Sequence, residues 1–131
     1  MAEVIQIHDK KFKKYISSTK IQKAIGKIAK GINTDFKNGK PVFLSVLNGS
    51  FLFTADLLKN VKAECEISFV KVASYAGIQS TGTVNTLIGI NENLKGRTVI
   101  ILEDIVDSGN TLERIKAELQ KHAPKEKNNV A

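Results

Sequence analysis

Cysteine is nearly absent from this chain: Cys65 is the only one in 131 residues, which excludes an internal disulfide framework and a thiol cluster able to hold zinc. A lone cysteine of this kind reads as a small buried or half-buried residue before it reads as a reactive thiol. The two histidines, His8 and His122, stand far apart and form no ligand group; His122, near an expected helix end, reads as a dipole partner. No apolar run reaches the ~18 residues of a membrane span, and the opening "MAEVIQIHDKKFKKYI" lacks the apolar centre of a secretion signal. No membrane partner is expected, and the cytoplasm is the expected location. Internal repeats and low-complexity segments are missing too. What remains, 42% hydrophobic and 25% charged residues, fits one soluble domain over 1–131.

Acidic residues are outnumbered, thirteen against twenty basic ones, for a net charge of +7. Such an excess invites a nucleic-acid reading, but its distribution opposes one. Lys20, Lys23, Lys27 and Lys30 recur at helical spacing opposite Ile21, Ile25, Ile28 and Ile32, the pattern of an amphipathic helix with a wet face. Nucleic acid is therefore not expected as a partner. The positive field can instead steer a small polyanion inward. Phe12 and Tyr15, set among lysines, are expected to anchor the N-terminal segment to the core.

After that helix, "PVFLSVL" is a continuous apolar run of the buried-strand type, "NGS" at 48 to 50 breaks it, and Phe51, Ala55 and Leu58 predict a helix over 51 to 60. "EISFVKV" at 66 to 72 predicts a second strand, "ASYAGIQSTGT" a long functional loop, "VNTLIGI" a returning strand and "NENLKG" a turn. "RTVIIL" has the strongest buried signature. A helix is expected from Asn110, with Leu112, Ile115 and Leu119 on one face and Glu113 completing a capping box with Asn110. Alternating strands and helices joined by short turns predict an α/β fold with a largely parallel sheet.

In such sheets ligands bind beyond the carboxyl ends of the strands. Glu103 and Asp104 stand at that end of the strongest strand, where two adjacent carboxylates are costly unless a cation or hydroxyl donors meet them. Magnesium and sugar hydroxyls suit them. The following "DSGNT" offers a glycine turn, hydroxyls on Ser108 and Thr111 and a helix N-terminus, which together make a phosphate cradle. A sugar phosphate would span both halves.

These residues carry a resemblance. "VIILEDIVDSGNTL" resembles the phosphoribosyl pyrophosphate motif of the type I phosphoribosyltransferases, and the wider chain is similar to their hypoxanthine/guanine branch. "LSVLNGSFLFTADLL" is similar to the family's pyrophosphate-binding turn and helix, and "SYAGIQSTG" to the flexible loop that closes over the reacting centre; order and spacing agree over about residues 40 to 123.

The resemblance implies a parallel twisted sheet flanked by helices, with a mobile loop-hairpin over the site. It implies purine salvage: phosphoribosyl passes from phosphoribosyl pyrophosphate to hypoxanthine or guanine, giving IMP or GMP and pyrophosphate. Glu103 and Asp104 would hold the ribose hydroxyls and Mg2+, while Asp107, Ser108, Gly109, Asn110 and Thr111 would hold the 5′-phosphate. Asp107 also matches the general base near purine N7. Gly49 matches the turn where a backbone amide meets pyrophosphate, often through a cis peptide from the preceding residue. That residue is Asn48 here, where many relatives carry Lys or Arg. Ser74 and Tyr75 would close over pyrophosphate. Relatives self-associate, so a homo-oligomer, dimer or tetramer, is expected, with Phe51, Phe53 and Leu58 as core or interface candidates.

The family pattern continues after "KEKNNVA" with another strand and the residues that read the base, so the chain is expected to be truncated before a C-terminal purine-binding segment. Two alternatives share the fold: a xanthine-preferring transferase, and a nucleotide-sensing regulator that binds RNA through its basic N-terminal face. "GIQSTGT" approximates a P-loop but lacks its lysine, and "NGS" fits a glycosylation pattern without an export signal; neither is expected to function so.

Overall fold

The structure, a computed structural model, describes residues 3–74, 84–88, 93–106, 109–120 and 126–130. Two short strands, β1 (Val4–Ile7) and β2 (Lys10–Lys13), pair antiparallel through a tight turn at His8 and Asp9. The chain then runs through α1 (Ser18–Asp35), β3 (Val42–Leu47), α2 (Phe51–Leu58), β4 (Glu66–Ser74), β5 (Val84–Ile88), β6 (Thr98–Leu102), α3 (Asn110–Gln120) and β7 (Glu126–Val130). The main sheet has the order β5-β4-β3-β6-β7. Strands β4, β3, β6 and β7 are parallel, and β5 returns antiparallel to β4. The expected α/β class with a largely parallel sheet is what forms.

The continuous apolar runs follow from burial on both faces. Val42, Leu44 and Val46 of β3 join Val70, Val99 and Ile101 under Ile115 and Leu119 of α3. Phe43, one step out of phase, joins Ile100 and Leu102 on the opposite face, where Ile25, Ala29 and Ile32 of α1 and Leu57 of α2 cover them. Full burial of one such aliphatic side chain contributes roughly 1.5–3 kcal/mol, so these two clusters dominate the stability.

Helix α1 opens on Ser17, whose hydroxyl accepts the Lys20 N–H at 3.2 Å, and its four lysines face solvent as the spacing predicts. Ile21 departs from the expected stripe and is 46% exposed, because contact with the sheet begins one turn later, at Ile25. Helix α2 ends at Leu58, two residues short of the expected 60, and β4 runs two residues past the expected 72. Cys65 is half-buried at the rim of the α1/α2 layer, and burial pushes its thiol pKa up, as suits a packing residue.

The N-terminal expectation is corrected. Phe12 is 50% and Tyr15 95% exposed, so neither anchors the segment to the core. β1 and β2 pair with each other in a separate sheet, with Ile5 paired to Phe12, and not with the main sheet. The further strand expected after "KEKNNVA" starts earlier, within that segment: β7 adds to β6 as a fourth parallel strand at the sheet edge. Among the described residues no helix is long and apolar enough to cross a membrane.

Candidate functional site

β3 and β6 are neighbours in register, with Ser45 opposite Leu102, so the residues that follow each strand emerge side by side on one edge. After β6 come Glu103 and Asp104; after β3 comes the turn Asn48–Gly49. The two segments touch. A Cβ built on Gly49 would stand 2.8 Å from Asp104 Cγ and collide with its carboxylate oxygens, so a side chain at 49 must displace that carboxylate. Glycine here permits the close approach. The structure thus brings together two site regions that lie more than fifty residues apart in the chain.

Glu103 is pushed up to about 7 from the ordinary 4.5. Loss of water is the largest cause, followed by a side-chain hydrogen bond with Asp104 and repulsion by its charge; the Asp104 N–H, donating to Glu103 Oε1 at 3.3 Å, works the other way. Among the described residues no lysine or arginine forms an ion pair with either carboxylate. Nor is there a group of three or more metal-ligating side chains among them. Two adjacent hard oxygen donors suit Mg2+ when substrate oxygens and water complete its shell, so the residues present fit that ion.

The turn after β3 contains a cis peptide, Leu47–Asn48, one bond before the Asn48–Gly49 bond anticipated from the resemblance. Asn48 and Gly49 are both exposed, and the Phe51 N–H donates to the Asn48 carbonyl at 3.2 Å to close the turn into α2. At the neighbouring edge, Gly109 has φ +82, a conformation that favours glycine, and its carbonyl accepts the Glu113 N–H at 2.9 Å. That bond places Gly109 at the cap and Asn110 as the first helical residue, a correction to the expected capping box on Asn110. Gly109, Asn110 and Thr111 therefore form the N-terminal end of α3. Ser74 closes β4, parallel to β3, so its backbone lies toward the same edge. Asp107, Ser108 and Tyr75 fall outside the described residues, as does His122.

Three residues that the sequence reading passed over meet behind the turn. Ser45, Ser50 and Thr54 are all buried, with Ser45 Oγ 2.7 Å from both Ser50 Oγ and Thr54 Oγ1. The available signal was a serine inside an otherwise apolar strand.

Comparison with known proteins adds to this geometry. The family model described as "Phosphoribosyl transferase domain" matches residues 13–128. The hypoxanthine phosphoribosyltransferase of Buchnera aphidicola subsp. Schizaphis graminum is 35% identical over 113 residues, covering 84% of this chain and 64% of the relative. The hypoxanthine-guanine phosphoribosyltransferase of Streptococcus pyogenes is 37% identical over 91 residues, 69% of this chain and 51% of its own. Among solved structures, a hypoxanthine-guanine phosphoribosyltransferase from Bacillus anthracis superposes with a TM-score of 0.79 at 37% identity, covering 87% of this chain and 66% of that one. The chain thus spans between about half and two thirds of the length of these relatives.

Proposed function

Because this chain belongs to the phosphoribosyl transferase domain family, we propose that it transfers 5-phosphoribosyl from phosphoribosyl pyrophosphate to hypoxanthine or guanine, forming IMP or GMP and pyrophosphate in purine salvage. The observation that carries the proposal is the Glu103–Asp104 pair, which no lysine or arginine among the described residues neutralises, lying against the Gly49 turn. Glu103 and Asp104 receive the ribose hydroxyls, and their negative charge stabilises the positive charge that develops on the sugar as pyrophosphate departs. Gly49 presents a backbone N–H to the pyrophosphate. The first turn of α3, Gly109 to Thr111, offers backbone N–H groups and a positive dipole end to the 5′-phosphate, with Asp107 and Ser108 completing that cradle.

Asp107 accepts or shares the proton at purine N7 as the bond at N9 forms. Ser74 and Tyr75 close over the pyrophosphate and exclude water. Glu103 and Asp104 would hold Mg2+, which when bound would supply charge neutralisation for the phosphates. Exposed Phe51 and Leu52 on α2, 56% and 64% accessible, favour self-association into a dimer or tetramer, and the cytoplasm is the proposed location. The test is nucleotide formation from hypoxanthine, guanine and xanthine with phosphoribosyl pyrophosphate and Mg2+. Product that disappears with chelator supports the reading and ranks the bases. A folded chain that binds neither phosphoribosyl pyrophosphate nor IMP sinks it.

A further inference from the structure

We propose that Ser45, Ser50 and Thr54 form a directional hydroxyl chain that braces the Leu47–Gly49 turn, making them positioning residues for the pyrophosphate-binding amide. All three are at most 3% exposed. Ser50 Oγ donates to the Val46 carbonyl at 2.5 Å. A hydroxyl has one proton, so the 2.7 Å contact between Ser45 and Ser50 must have Ser45 as donor. Ser45 has then used its own proton, and its 2.7 Å contact with Thr54 must have Thr54 as donor. The order is fixed: Thr54 to Ser45 to Ser50 to the Val46 carbonyl.

The chain starts in α2, crosses to β3 and ends on the peptide just before the turn. It therefore ties both ends of the turn to each other with bonds that polarise one another in a buried setting. Two further details separate this from ordinary core filling. Ser50 holds the N-cap position of α2 yet makes no capping bond with its side chain, its hydroxyl being turned back onto the strand instead. Ser45 stands in a strand whose neighbours Val42, Phe43, Leu44 and Val46 are all buried and apolar, where an alanine or valine would avoid the cost of burying a hydroxyl. The backbone bond from Ser50 N–H to Val46 O is long at 3.4 Å, so the Ser50 hydroxyl on the same carbonyl reinforces the weakest backbone bond of the turn.

The assignment of a pyrophosphate role rests on the function proposed above, and the test keeps the two apart. Amide hydrogen exchange is measured without ligand in Ser45→Ala, Thr54→Val and Thr54→Ser, and each chain is then titrated with inorganic pyrophosphate while the Gly49 amide resonance is followed. Ser45→Ala should speed exchange at Ser50 and Phe51 by about five- to tenfold. Thr54→Val should give a smaller rise and Thr54→Ser none, with the β6 amides Val99 to Leu102 changing less than those of the turn. Pyrophosphate affinity should fall in the same order. Equal acceleration in β6 and in the turn, or Thr54→Ser behaving like Thr54→Val, overturns the bracing. A wild-type Gly49 amide that ignores pyrophosphate overturns the binding role while leaving the local exchange pattern to support the brace.

Discussion

The two ends of the same parallel strands treat charge in opposite ways. At the amino ends, Lys40 lies 3.3 Å from Glu64 and 3.9 Å from Glu66, and Arg97 lies 3.4 Å from Glu66 while donating to the Lys40 carbonyl at 3.0 Å. At the carboxyl ends, Glu103 and Asp104 stand side by side with no described cation, and the first of them is pushed up to about 7. One end neutralises its charges with neighbours; the other keeps like charges together at a cost to the fold. A cost of that kind is offset when a ligand meets the charges, so the contrast supports the proposal that the carboxyl edge of the sheet is the working one.

The comparison is broken most severely by removing the group proposed to handle the proton. Asp107→Ala should lower kcat by roughly 10²–10⁴ while weakening phosphoribosyl pyrophosphate binding far less. Steady-state kinetics check this, and equal losses in both quantities would exclude a base role. Next in size is Gly49→Ala. Its Cβ would press on the Asp104 carboxylate, so it should displace the pair, reduce pyrophosphate affinity by about tenfold and leave the melting temperature within a few degrees of the parent. Unchanged affinity would mean that Asp104 yields freely and that the close contact has no role in binding.

How much of this was legible in the sequence depended on burial and on local chemistry. β3 and β6 could be read because both of their faces are covered, which demands unbroken apolar runs. The acidic edge could be read because Glu103 and Asp104 directly follow such a run. The β1–β2 hairpin could not: its turn has His8 at φ +55 in place of a glycine or asparagine, and its apolar residues remain half-exposed. The start of β7 escaped because its sequence, "EKNNV", carries no apolar pattern to mark a strand. The hydroxyl chain showed only as one unexpected serine, since its partners at 50 and 54 converge through the turn itself and its direction follows from counting protons in three dimensions. The contact of Gly49 with Asp104 was hidden for the same reason.

A smaller effect sharpens the contrast through pH. Glu103 titrates higher in the folded chain, at about 7, than the ordinary carboxylate value of 4.5, so the folded state holds that proton more tightly. The stability this group contributes is complete below about 4.5, is lost as pH rises through about 7, and is level beyond that. Glu103→Gln cannot ionise and should not lose it. Thermal unfolding of both chains across this window should show the variant gaining on the parent from acid to neutral pH. A difference that stays constant with pH would mean that Glu103 titrates as an ordinary exposed carboxylate.

The smallest effect is expected at the opposite edge. Glu66 is 45% exposed at its side chain, and its partners Lys40 and Arg97 are 52% and 27% exposed. Water screens such pairs, and Lys40 keeps Glu64 as a nearer partner while Arg97 keeps the Lys40 carbonyl. Glu66→Gln should therefore cost about 0.2–1 kcal/mol of stability, less at high salt, with turnover and substrate affinity unchanged. Denaturant melts at low and high salt, paired with the nucleotide-formation assay, measure both. A loss of activity at fixed stability would show that the amino ends of the strands are coupled to the site, and the division of labour between the two edges would have to be redrawn.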